Sequence, residues 1–188
     1  EKIMNDQGAT IGSQAYRQAR TLVTGITGNV GSACELILLE TGAWDITGIS
    51  RAPIKDHHQA VNLAHQIEVN NFVAGLTNKL DLVIMAHGTQ YGIKIGTPDF
   101  VKQYHSVVEN NLTAAMMLTD SLVYYNKLNE GALIVYCSSI QAIQTRAGRI
   151  PYAVAKAGTE ALVRGVAVEL APKVRTVGLR LGQLDKTM

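Results

Sequence analysis

Tyr152 and Lys156 lie four residues apart in the stretch YAVAK and share one face if the segment is helical. A phenol with a pKa near ~10 is poorly matched to proton transfer at neutral pH. An ammonium on the same face favours the phenolate and lowers that value. Tyr152 can then give or take the proton of an alcohol or carbonyl. Ser139 precedes the tyrosine by thirteen residues and follows the apolar run ALIVYC, where its hydroxyl can hold a substrate oxygen. Asn111 falls in a long helical pattern; if buried it needs hydrogen-bond partners, and a bent helix with an ordered water supplies them. Singly, each has an ordinary reading: a surface pair, a serine pair ending a strand, an asparagine on a solvated face.

The stretch TLVTGITGNVGSA carries a second kind of chemistry. Gly25, Gly28 and Gly31 read GxxGxxG, with Thr27, Asn29 and Val30 between them, rather than the GxGxxG of the usual dinucleotide fingerprint. The physical logic is shared. Glycine admits positive φ and lets backbone approach a diphosphate, while a helix N-terminus offers free N–H groups and a favourable dipole. A strand before the turn and a helix after it give the required context. The next strand ends Ile49-Ser50-Arg51, with no carboxylate to take a ribose 2′-hydroxyl. Arg51 suits a 2′-phosphate, with a solvated surface arginine as the alternative.

These residues need elements to place them. Strands are expected at Thr21–Thr24, Asp45–Ser50, Gln66–Val69, Asp81–Ala86, Ala132–Cys137 and Thr176–Leu181. Helices are expected at Ser32–Glu40, His58–His65, 99–127 and Pro151–Leu170. Over 99–127, apolar residues such as Val101, Tyr104, Val107, Val108 and Leu112 recur every three or four positions. Near-continuous apolar strands alternating with helices imply a parallel sheet covered on both faces. The expectation is one α/β domain over 21–188, a Rossmann-like, doubly wound, three-layer αβα fold, after an N-terminal extension at 1–20.

In this order TGITGNVG, Asn111, Ser139 and YAVAK resemble the short-chain dehydrogenase/reductase family, and PYAVAKAGTEALVRGVAVELAPKVRTVGLRLG resembles its active-site helix and following strand. The likeness runs from about Thr21 to Met188. It implies an NAD(P)(H)-dependent oxidoreductase that moves hydride between nicotinamide and a carbonyl or secondary alcohol, with NADP(H) preferred over NAD(H) if Arg51 acts as read. By the resemblance Tyr152 is the acid–base, Lys156 lowers its pKa and holds the nicotinamide ribose, Ser139 positions the carbonyl, and Asn111 supports a water relay. Gly25, Thr27, Gly28, Asn29, Val30, Gly31, Ser50, Arg51, Ala86 and Gly88 would contact the cofactor. A homodimer or homotetramer through helices 99–127 and 152–170 is implied as well. Ala86-His87-Gly88 replaces the family's usual Asn-Asn-Ala-Gly, so His87 comes close to the cofactor. The C-terminal substrate lid is expected to be absent or truncated. Two other readings are an epimerase or dehydratase on a nucleotide sugar, favoured by the glycine spacing, and a cofactor-binding scaffold without catalysis.

The totals of the 188-residue chain narrow the choice. Hydrophobic residues at 47% and charged residues at 17% fit a globular domain with a sizeable core. A formal charge of +2 with scattered basic residues gives no sign of a nucleic-acid surface. No apolar run is long enough to span a bilayer. Cys34 and Cys137 read as core residues, and a cytoplasmic setting is the default. The five histidines form no metal-binding motif by spacing.

Overall fold

A computed structural model of the chain describes residues 17–184. The elements are β1 (Ala19–Thr24), α1 (Asn29–Thr41), β2 (Trp44–Ser50), β3 (His58–Ala60), α2 (Gln66–Gly75), β4 (Leu80–Met85) and α3 (Phe100–Val108), then a π turn (Glu109–Thr113), α4 (Ala114–Tyr124), β5 (Leu128–Ser139), a 3-10 turn (Ile140–Ala142), α5 (Ile150–Leu170) and β6 (Val174–Leu181). The strands form one sheet in the order β3-β2-β1-β4-β5-β6, with all neighbours parallel.

The strand sequences explain why both faces are covered. Successive side chains of a strand point to opposite faces, yet Leu22 and Val23 of β1 are both fully buried, as are Val83, Ile134 and Tyr136. Parallel neighbours also need crossover connections, and helices supply them. On one face Leu22, Val83, Ile134 and Tyr136 pack with Leu118 and Leu122 of α4 and Leu162 of α5. On the other, Val23, Ile26, Ile84 and Val135 meet Cys34 and Leu38 of α1. The one polar tip in the first cluster is satisfied: Tyr136 Oη and Thr119 Oγ1 lie 2.8 Å apart. This is the three-layer, doubly wound architecture that the alternating pattern implies.

Two elements differ from expectation. Residues 58–60 form a strand where a helix was expected, and 66–75 form a helix where Gln66–Val69 was expected to be a strand. His58 pairs with Gly48 of β2 and is buried, so pairing at the sheet edge overrides local preference. Val69 and Val73 are both fully buried, one helical turn apart on the face of α2 that meets the core. The expected helix over 99–127 is interrupted by the π turn. β1 begins at Ala19, so the last residues of the expected extension belong to the sheet; 1–16 lie outside the described residues.

Strand order reverses between β1 and β4. In an open parallel sheet the crevice beyond the carboxyl ends at such a point is where ligands bind. Here it is flanked by Gly25 on one side and Ala86-His87-Gly88 on the other. Gly25 has φ +62°, and a Cβ there would lie 2.7 Å from His87 Cα, so glycine answers both the backbone conformation and the close approach.

Candidate active site

A cavity of about 1280 Å³ opens at this crevice. Its walls include Gly28, Asn29 and Val30 from the glycine turn, Ala86 and Gly88 after β4, and Asn111, Ser139, Tyr152 and Lys156. Nine residues singled out from the sequence and its family resemblance, spread over 129 positions (28 to 156), thus meet around one space. Gly25 and Thr27 of the same turn, and Gly31 in the first turn of α1, do not line the cavity, and Ser50 and Arg51 stand apart from it at the carboxyl end of β2. His87, Gln141, Arg146 and Arg149 also line the cavity. The two arginines were not picked out from the sequence; their position in the loop ahead of Tyr152 was the available signal.

The π turn explains how Asn111 is held. Ala114 N–H reaches back five residues to Glu109 O, which frees carbonyls one turn earlier. Asn110 Nδ2 donates to Ser106 O and Asn111 Nδ2 to Val107 O, each at 2.8 Å. Asn111 Nδ2 also donates to Thr89 O at 2.8 Å, tying the helix to the chain beyond β4. The amide is 2% exposed, and its Oδ1 has no partner. A Cβ on Gly88, whose φ is +156°, would come 2.3 Å from that oxygen. A bare buried acceptor facing a cavity is where a water is held.

Tyr152 and Lys156 sit on α5, which begins with Pro151 in its first turn. The expected lowering of the tyrosine by the lysine does not appear in this arrangement. Burial pushes the phenol above its ordinary value, while the Ser139 hydroxyl beside it and the Arg149 guanidinium pull the other way. Lys156 Nζ lies 5.5 Å from the Tyr152 ring centroid and donates to Cys137 O at 2.8 Å. With the ammonium 5% exposed, burial pulls its pKa down to about 8. Ser139 Oγ accepts from Gln141 N–H at 3.2 Å, which leaves its own proton free to donate. Ser138 is otherwise committed, donating to Glu160 Oε1 at 2.9 Å.

His87 is the altered residue of the AHG stretch. Its Nδ1 lies 2.6 Å from Thr24 Oγ1, and its Nε2 is shielded and unpartnered. Burial, with Lys156 nearby, pulls the imidazole down to about 3, so it is neutral at physiological pH.

The glycine turn suits an anion. Gly28 caps α1 without a side-chain acceptor, and no acidic residue lies in the first turn, so the leading N–H groups are open to a ligand. Ser50 Oγ, His87 Nε2, Thr89 Oγ1 and Asn111 Oδ1 are buried without partners. All four lie at the carboxyl ends of β2 and β4 or on the helix facing them, where a dinucleotide would offer hydrogen-bonding groups.

A family model described as short chain dehydrogenase matches residues 20–188. The chain belongs to the short-chain dehydrogenase/reductase family. As a member it is an NAD(P)-dependent oxidoreductase that transfers hydride, and the epimerase and scaffold readings are not favoured. Among curated proteins, the chain is 27% identical over 167 residues to 3-oxoacyl-(acyl-carrier-protein) reductase of Rickettsia typhi, covering 84% of this chain and 68% of that protein. It is 23% identical over 154 residues to dihydropteridine reductase of Dictyostelium discoideum, covering 79% and 65%. A short-chain dehydrogenase family protein from Francisella tularensis superposes with a TM-score of 0.81 at 21% identity, over 89% of this chain and 71% of that one. A short-chain dehydrogenase from Burkholderia cenocepacia, solved in complex with NADP, gives 0.76 at 19% identity over 90% and 74%. Among the described residues no helix is long and apolar enough to cross a membrane.

Proposed function

We propose that this short-chain dehydrogenase/reductase interconverts a small-molecule carbonyl and its secondary alcohol, with Tyr152 as the acid–base and NADP(H) preferred over NAD(H). The observation that carries the reading is the meeting of Asn111, Ser139, Tyr152 and Lys156 on one cavity that the glycine turn also lines. When bound, the nicotinamide supplies or accepts the hydride. Tyr152 Oη exchanges the proton with the substrate oxygen, and Ser139 donates a hydrogen bond to that oxygen and fixes its place. Asn111 Oδ1 holds a water through which the proton is replenished. Lys156 keeps positive charge beside the phenol and binds the nicotinamide ribose. Gly25, Thr27, Gly28, Asn29, Val30 and Gly31 take the diphosphate, with Ala86 and Gly88 forming the floor.

The cofactor preference rests on Ser50 and Arg51. Arg51 is exposed at the end of β2 and Ser50 Oγ has no partner, so a phosphate would satisfy both. The lack of a carboxylate at this position supports the same reading. Self-association as a homodimer or homotetramer is part of the proposal. Val101, Met116, Val154 and Val168, on α3, α4 and α5, are 64%, 52%, 43% and 85% exposed, which is more apolar surface than a lone domain needs there. The free thiols Cys34 and Cys137 fit a reducing, cytoplasmic setting.

The test is Tyr152→Phe, assayed with a panel of ketones and NADPH while cofactor binding is followed by fluorescence transfer from protein to nicotinamide. Turnover should fall at least a thousandfold, the upper part of the range for a lost acid–base of about 10²–10⁴, with binding of NADPH retained. Undiminished turnover in the variant would remove Tyr152 from the mechanism.

A further inference from the structure

Away from the cavity, α1 and the connection from β2 to β3 converge on one carboxylate. Glu35, on α1, is 2% exposed. His57 Nε2 lies 2.5 Å and His58 Nε2 2.8 Å from the same oxygen, Glu35 Oε1. Lys55 Nζ donates to the other oxygen, Oε2, at 2.7 Å. One ligand-type atom from each of Glu35, His57 and His58 falls within a sphere where all lie within 4.8 Å of one another. None of the three lines the catalytic cavity.

We propose that Glu35, His57 and His58 form a binding site for a divalent transition metal of the zinc class. Two imidazole nitrogens and one carboxylate oxygen are the donor set such ions take, whereas magnesium and calcium prefer all-oxygen sites. Both imidazoles address Oε1, so a metal there binds the carboxylate through one oxygen. Lys55 stays on Oε2, where it orients the ligating group from outside. Bonds of about 2.0–2.2 Å at tetrahedral angles separate ligand atoms by roughly 3.3 Å, so Oε1 must part from His58 by roughly 0.5 Å and His57 must withdraw from Oε1 by roughly 0.8 Å. His57 can do so: its side chain is 39% exposed and stands on an exposed loop. Its open side also gives an ion access and leaves a fourth position for water. His58, with a fully buried side chain, is held in a slot that Gly48 keeps clear, since a Cβ on Gly48 would come 2.8 Å from its ring. His58 Nδ1 has no outer partner, and Lys55 adds a positive charge nearby. The site therefore binds less tightly than structural zinc sites whose ligands are all oriented from outside.

Untagged, chelator-treated protein titrated with cobalt, read by its visible absorption, and with zinc, read by calorimetry, tests the proposal. One ion per chain should bind, with the intense visible bands of a tetrahedral cobalt centre. His57→Ala leaves the buried pair intact and should weaken zinc binding by more than roughly tenfold, because even outer partners of ligands are worth that much. His65→Ala, a remote exposed histidine paired with Glu68, should leave it unchanged. Circular dichroism and NADPH binding of each variant report that the fold is kept. No saturable binding by the wild-type protein, or equal affinity in folded His57→Ala, would overturn the site and leave the cluster as a hydrogen-bonded tether between helix and loop.

Discussion

Replacing Gly31 by alanine sets two physical effects of opposite sign against each other. Gly31 lies inside α1, where alanine is favoured over glycine by about 1 kcal/mol, so helix propensity alone predicts a more stable protein. A Cβ at this position, however, would lie 2.2 Å from Gly25 O, 2.7 Å from Gly25 C and 2.8 Å from Ile26 Cα. All three atoms are backbone and cannot rotate aside. Ordinary carbon–oxygen contact is near ~3.4 Å, so α1 and the turn must part by about an ångström. Overpacking of this kind costs about 1–3 kcal/mol and sometimes more, and at backbone contacts we take the upper end. The net expectation is a loss of about 1–2 kcal/mol, visible as a lower urea midpoint with an unchanged slope. The same displacement opens the diphosphate cradle, so NADPH affinity should fall more than roughly tenfold, since a misplacement of that size is costly wherever geometry matters. Equilibrium urea unfolding and fluorescence titration read the two quantities. A variant at least as stable as the wild type, with undiminished NADPH affinity, would refute the close approach of α1 to the turn.

Other outcomes follow from the same structure. Arg51→Ala should raise the dissociation constant for NADPH by about ten- to a hundredfold, the worth of a hydrogen bond to a charged group, while NADH binding stays within about twofold; equal losses for both cofactors would remove the 2′-phosphate role. Burial lowers Lys156 from 10.5 to about 8, so between those values the unfolded chain binds more protons and wild-type stability should rise with pH. Relative to Lys156→Met the gain approaches about 3 kcal/mol at most, and parallel pH profiles in urea unfolding would contradict it. Leu118→Ala, at a fully buried site between α4 and the sheet, should cost about 2–5 kcal/mol, read as a drop in the urea midpoint.

Much of this fold was legible because its signals are local. Leu-Val before the glycines and LIVY before Ser138 announce buried strands, and the periodicity of 99–127 and 151–170 announces helices. Asn111, Ser139, Tyr152 and Lys156 were legible as a set because their order, with the glycine turn, resembles that of a known family; taken singly, each had an ordinary reading. Residues 58–69 were misread because a three-residue edge strand carries no period, and QIEV is too short a window to show that Val69 and Val73 belong to one helical face. The π turn was hidden for a different reason: a single extra residue does not disturb a tolerant three-or-four pattern. The Glu35 cluster was invisible because its members lie 22 and 23 positions apart, joined only by the docking of α1 beside β2. The partner of Lys156 was equally out of reach, since Cys137 O is a backbone atom that no side-chain pattern marks.

The π turn also fixes a phase. In an ordinary helix each residue advances the direction of its side chain by about 100°. Up to and within the turn the helix must aim Val107 at protein and Asn111 at the cavity; after it, Ala114, Ala115, Leu118 and Leu122 must all enter the core. Winding the same residues as a regular α-helix, without the wide turn, would swing one half by about a quarter turn against the other. Either the amide would leave the cavity or the leucines would leave the core. The helix works as two frames of reading spliced at one point, and the splice cannot be edited to suit one half without putting the other out of register.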